Sequence, residues 1–200
     1  MAFGQAAAAL DKVPADTVEL RRDIAFSQIR SRGAGGAWMS VLMELSPNFN
    51  PDPNAKSREF LENVEIILHL GFDAPPGKDG TRQFYFYQAR SKIGIIKARE
   101  AFVMGFFLPG HIVERDDLPR EPQYWAVEIF VNGVAQEPSA KLAARAFRSN
   151  PDSLKNFVSK SSTESRPNDG LLMPQYLAPV SIVSSAGVDT TIPFIRLEGN

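Results

Sequence analysis

Tyr124-Trp125-Ala126-Val127-Glu128-Ile129-Phe130-Val131-Asn132-Gly133-Val134-Ala135-Gln136-Glu137-Pro138 carries the most regular pattern in the chain. Trp125, Val127, Ile129 and Val131 alternate with Tyr124, Ala126, Glu128 and Phe130. That period of two sends one set to each face of a strand. Both sets include large apolar groups, so the strand is expected to be central and covered on both sides. Asn132-Gly133 follows directly. Both residues tolerate positive φ, which makes the pair a strong signal for a two-residue hairpin turn.

Upstream of this strand, more alternation appears. Met39, Val41, Met43 and Leu45 mark a strand over Ala37–Leu45, and Val64, Ile66, Leu68, Leu70 and Phe72 mark another. Gln83–Gln88 sets Phe84 and Phe86 as an apolar inner row against outward-facing Tyr85 and Tyr87. Ile93–Ile96 and Ala101–Leu108 are further strand candidates, and Ala74–Gly80 is a turn. Nearer the N-terminus, Asp16–Ile29 reads as a short helix capped by Asp16 or Thr17, and Arg30–Gly36 as a glycine loop. That loop is no dinucleotide fingerprint, because Trp38 stands where the last glycine would be.

Downstream, the period changes. Ser139–Arg148 sets Leu142, Ala143, Ala146 and Phe147 on one helical face, and Asn150-Pro151 opens a second helix with Leu154, Phe157 and Val158. Lys160–Gly170 reads as a polar connection, Val180–Val183 and Thr190–Leu197 as closing strands. Many short strands, Pro/Gly-rich turns and one inserted helical pair predict a mainly β chain. The expected fold is a β-sandwich, with an OB-like barrel as the alternative. Residues 1–35 are expected to form an N-terminal leader and helix, and 36–200 one sandwich domain with a helical insertion at 139–159.

The chain of 200 residues is 44% hydrophobic and 22% charged, ordinary values for a globular protein able to bury a core. A net charge of −1 gives no overall basic footprint for nucleic acid. Cysteine is absent, which excludes disulfides, thiol nucleophiles and cysteine-ligated metals. No apolar run reaches the ~18 residues of a membrane-spanning helix. Met1–Gln5 and the alanines 6–9 resemble the end of a signal peptide at an A-x-A cleavage site. The expectation is an exported protein whose signal peptide is not in this chain; an alanine-rich leader without a targeting role is the alternative.

Candidate chemistry is sparse, and no cofactor or metal is expected. His69 and His111 are the only histidines. His69 shares a strand face with Glu65, but the two lie about 13 Å apart at ~3.3 Å per residue, so a satisfied or solvent-facing histidine is the better reading. His111 has no nucleophile motif beside it. Asp116-Asp117, Asp52 and Asp79 lie outside any EF-hand pattern and read as turn carboxylates. Tyr85 and Tyr87 are candidates for a contact patch, since tyrosine offers large area at small entropic cost. Arg90, Lys92, Lys97 and Arg99 beside that aromatic run could line a single-strand nucleic-acid groove. The alternative for these cations is a solubilised sheet edge.

The Gln83–Gln88, Phe102–Pro109, Trp125–Gly133 and Ile192–Leu197 strands, in that order, resemble a group of exported verrucomicrobial proteins. These are encoded beside type IV pilus-like machinery in mucus-dwelling gut bacteria. The resemblance covers most of the chain from Ala37 onward. It implies an immunoglobulin-like sandwich in a non-enzymatic surface or periplasmic component, with envelope or pilus-assembly proteins, or the chain itself, as partners. It carries over no functional residue. The competing expectation is an intracellular single-stranded nucleic-acid binder on an OB-like barrel.

Overall fold

A computed structural model of the chain describes residues 10–30 and 35–196. One antiparallel sheet contains β1 (Val18–Leu20), β2 (Ala25–Arg30), β3 (Ala37–Pro47), β6 (Phe102–Leu108) and β9 (Met173–Pro174). The other runs in the order β10-β5-β4-β7-β8, from β4 (Phe60–Ala74), β5 (Gln83–Lys97), β7 (Tyr124–Val131), β8 (Val134–Ala135) and β10 (Phe194–Ile195). β3 pairs with β6 in the first sheet while β4 pairs with β7 in the second. The β3–β4 and β6–β7 connections therefore both pass between the sheets, in the interlocked manner of an immunoglobulin-like sandwich. Two separate sheets, rather than one closed on itself, set aside the OB-like barrel.

Val64, Ile66, Leu68, Leu70 and Phe72 of β4 are fully buried, as is Val131 of β7. Val64 faces Val131 and Leu70 faces Trp125 across the β4–β7 ladder, so both strands direct one apolar row into the space between the sheets. Met39, Val41, Met43 and Leu45 of β3 and Met104 and Phe106 of β6 fill it from the other side. Near one end of β4 the inward row changes parity. Asn63 sits at φ +50°, and beyond it Leu61 rather than an even-numbered residue is buried, opposite Ile96.

The hairpin signal is realised. Asn132 and Gly133 have φ of +51° and +81°, and Val131 faces Val134 across a two-residue loop. The expected N-terminal helix is not formed. Val18–Leu20 and Ala25–Arg30 both pair with β3, displaced from each other by the bulge at residues 21–24. The capping signal at Asp16-Thr17 instead serves a turn, where Thr17 O accepts from Asn48 N at 2.8 Å. Burying Val18 and Leu20 against the sandwich outweighs a modest helical propensity.

Three further expectations are corrected. Ile93–Ile96 continues β5 without a break. The first insertion helix is a pair of 3-10 turns, Ala140–Leu142 and Arg145–Phe147. Val180–Ala186 is helix α3, not a strand, begun after Pro179 and ended by Gly187 at φ +73°. Short apolar runs carry no period able to separate the two outcomes. The first α-helix, α1, spans Gly110–Arg115, and the second, α2, spans Pro151–Glu164 from an Asn150 cap that accepts Ser153 N at 3.0 Å. The leader 1–9, most of the Arg30–Gly36 loop and the end of the Ile192–Leu197 strand lie outside the described residues.

Two buried glutamine side chains act as substitute strand segments. Gln136 Oε1 accepts Val18 N at 3.0 Å, and its Nε2 donates to Ala15 O at 3.0 Å and Val18 O at 2.9 Å. It follows β8, so it ties the second sheet to the edge of the first. Gln175 Oε1 accepts Gly105 N at 2.9 Å and its Nε2 donates to Asp189 O at 2.7 Å, holding the C-terminal segment against β6.

Replacing Gln136 by Ala strands buried backbone groups of β1 and is expected to lower unfolding free energy by about 1–3 kcal/mol. Gly133→Val should cost about 1–2 kcal/mol through its left-handed φ, with Gly133→Asn markedly milder. Denaturant midpoints check both; a Gln136→Ala midpoint equal to wild type would mean that β1 is held by other contacts.

Candidate functional site

α2 lies across the outer face of the second sheet. Phe157 packs on the ring of Phe86 at 6.1 Å and of Tyr124 at 6.1 Å, with Phe147 at 5.0 Å completing an aromatic layer. Gly71 makes this approach possible, since a Cβ there would lie 2.9 Å from the Phe157 ring. One turn further along α2, the fully buried Ser161 meets the fully buried His69 of β4, Oγ to Nδ1 at 3.2 Å. His69 Nε2 meets Glu128 Oε2 at 2.8 Å, a diagonal neighbour on β7. A neutral ring with its proton on Nε2 satisfies all three groups: it donates to Glu128 and accepts from the Ser161 hydroxyl.

Beside this trio a groove of about 290 Å³ opens between β7, the return after β8 and α2. Ala126, Glu128 and Phe130 form its floor, Leu142 one wall, and Leu154 and Val158 the roof. Glu128 is the only carboxylate of the β7 strand, and its side chain is 37% exposed. Serine, histidine and carboxylate also make up hydrolytic triads, but access is reversed here. The carboxylate faces the groove and the serine is sealed beneath the helix, so Ser161 has no path to a substrate carbonyl. The trio therefore pins α2 to the sheet and fixes the Glu128 carboxylate in place.

The residues singled out from the sequence do not form one surface. Tyr87 belongs to the inter-sheet row and is fully buried, while Tyr85 is half-buried, facing Phe72 across the ladder. The expected faces of this strand are thus exchanged: Phe84 and Phe86 lie on the outer face near α2, and the tyrosines point inward. The insertion covers the phenylalanines, since an apolar helix face seals rings that have no polar tip to satisfy. Arg90 pairs with Glu65 at 3.1 Å, and Lys92 lies opposite Glu65 in the ladder. Lys97 pairs with Glu100. Arg99 occupies a turn at φ +67°, its backbone N–H donating to Pro47 O at 2.6 Å. Tyrosines and cations thus do not share a basic aromatic platform.

His69 is the satisfied histidine that the sequence suggests, but its carboxylate comes from β7 rather than from Glu65. The trace of that partnership in the sequence is Glu128, an acid alone in an otherwise apolar strand. His111 is exposed on α1. Among the described residues no three His, Cys, Asp or Glu side chains gather as metal ligands would.

Asp116 ends α1 and accepts hydrogen bonds from the Arg115 guanidinium, at 2.7 Å from both Nε and Nη2, and from the Tyr87 hydroxyl. The Arg115 hydrogen bonds are the main reason its carboxyl is held below the ordinary value. Burial, reinforced by the Asp116 hydrogen bond, pushes the Tyr87 phenol up. A depressed carboxyl contributes stability above its unfolded value of 3.8, and that contribution is lost as pH falls through the folded value. Asp116→Asn is therefore expected to lower stability at neutral pH and to flatten the acid limb of the stability–pH curve. Tyr87→Phe should cost about 1 kcal/mol. Denaturant titrations at neutral and acid pH measure both effects; an acid limb unchanged in Asp116→Asn would remove this carboxyl from the account.

No family model matches the chain, and no curated protein matches it. Among solved structures, a crystal structure from Akkermansia muciniphila is similar, with a TM-score of 0.46 and 13% identity, over 60% of this chain and 68% of that one.

Proposed function

We propose that this chain is a non-enzymatic, exported structural and interaction protein of a cell-envelope or type IV pilus-like assembly. Its partners are other envelope or assembly proteins and further copies of itself. The observation that carries the interaction reading is the edge of the first sheet. Sheet edges recruit other chains when they are long and unpaired. β8, β9 and β10 are each two residues long, and β1 is occupied by the Gln136 side chain. β2, by contrast, runs for six residues along β3, and no other described strand pairs with its outer edge. Export and the pilus setting are supported by the signal-like leader and by the resemblance of the strand series to exported verrucomicrobial proteins.

The absence of cysteine offers a clean test, because Gln28→Cys on β2 places a lone thiol on the exposed edge. Expressed from the full native gene, a fusion to a phosphatase that is active only after export should be active in cells. Thiol cross-linking from residue 28 in intact cells should give adducts with envelope proteins or with a second copy. Phosphatase activity confined to lysates would remove the export reading. An absence of adducts alongside efficient labelling of the thiol would remove the edge.

A further inference from the structure

We infer that the groove between β7 and α2 receives a lysine side chain from a partner polypeptide; this rests on the interaction reading above. At about 290 Å³ the cavity lies at the lower limit of the roughly 300–1,000 Å³ of small-molecule sites, room for one long side chain. Phe130, Leu142, Leu154 and Val158 supply an apolar channel for an aliphatic stem. The charge at its floor is Glu128. Of the other charged groups on the lining, Glu137 is already paired with Lys12 at 2.6 Å, and Lys155 is exposed on α2. Lysine there can keep its head in water while its stem adds to the wall.

The geometry of the carboxylate separates lysine from arginine. Oε2 of Glu128 is occupied by His69 Nε2, itself fully buried and braced by Ser161. Oε1 has no protein partner among the described residues. A guanidinium is strongest as a two-pronged fork on both carboxylate oxygens, and here it would have to share Oε2 with His69. An ammonium is a point charge and needs only one. His69 and Ser161 act here as positioning residues, and Glu128 makes the contact.

The test uses three blocked peptides with the core Leu-X-Leu, where X is lysine, arginine or norleucine, followed by chemical-shift mapping of the full chain. The lysine peptide should shift the signals of Glu128, Leu154 and Val158 and bind about tenfold more tightly than the norleucine peptide, the value of one charge-assisted hydrogen bond. Arginine should bind more weakly than lysine. Glu128→Gln should erase the preference for lysine, and Leu154→Ser should weaken all three peptides together. Equal affinity for lysine and norleucine, a preference for arginine, or a lysine preference that survives Glu128→Gln would each overturn the inference. Butylamine binding as tightly as the lysine peptide would overturn the partner segment in favour of a free amine. Because Glu128→Gln retains the shape of the site, a normal thermal midpoint shows that lost binding is not lost folding. Cross-linking from residue 28 reads the edge independently, so the groove can fail while the interaction reading stands.

Discussion

β4 is buried on both faces from Ile66 to Phe72, and the rest of the molecule answers that constraint. Its inner row, Val64 to Phe72, is covered by the opposite sheet. Its outer row includes Ile67, His69 and Gly71, all buried as well. A sandwich alone covers one face of each sheet. The second face requires another layer, which α2 and the 3-10 turns provide. The insertion after β8 is thus the complement of a strand that the sheets alone leave half exposed.

Closing the sides of the sandwich is a separate problem. Strand edges carry backbone groups that must find partners wherever water is excluded. Gln136 and Gln175 meet this demand with side-chain amides, whose carbonyl accepts a strand N–H while the NH2 donates to backbone carbonyls, to two of them in Gln136. Both are buried and lie far in sequence from the strands they complete. Gln136 thereby links the two sheets, Gln175 holds the C-terminal segment on β6, and β2 keeps an outer edge that no other described strand pairs.

The outer layer also builds the groove. Gly71 admits Phe157, Phe157 brings α2 down onto the sheet, and Ser161 then reaches His69, which orients Glu128. The features of the site follow from packing, with polar groups satisfied at the margin of an aromatic layer. Fixed carboxylate geometry comes from this bracing, because a free glutamate would sample several rotamers.

Pattern in the chain was enough to locate most of the sandwich. The strands at Ala37–Leu45, Val64–Phe72 and Tyr124–Val131 and the Asn132-Gly133 hairpin are legible because alternation and positive-φ residues are local signals. The glutamate isolated within the strand at 124–131 was visible too, without its meaning. What local signals could not determine was decided by contacts distant in sequence. Val18–Leu20 became strand because β3 offered an edge, and Val180–Ala186 became helix where Trp38 and Phe107 received Ile182. Tyr87 turned inward because the β4–β5 register placed it opposite Leu70. Glu128 met His69 only because β7 pairs beside β4, a juxtaposition of residues 59 apart that no spacing along the chain records. Alternation says that a strand has two faces; which face is the core depends on the layers that come to cover it.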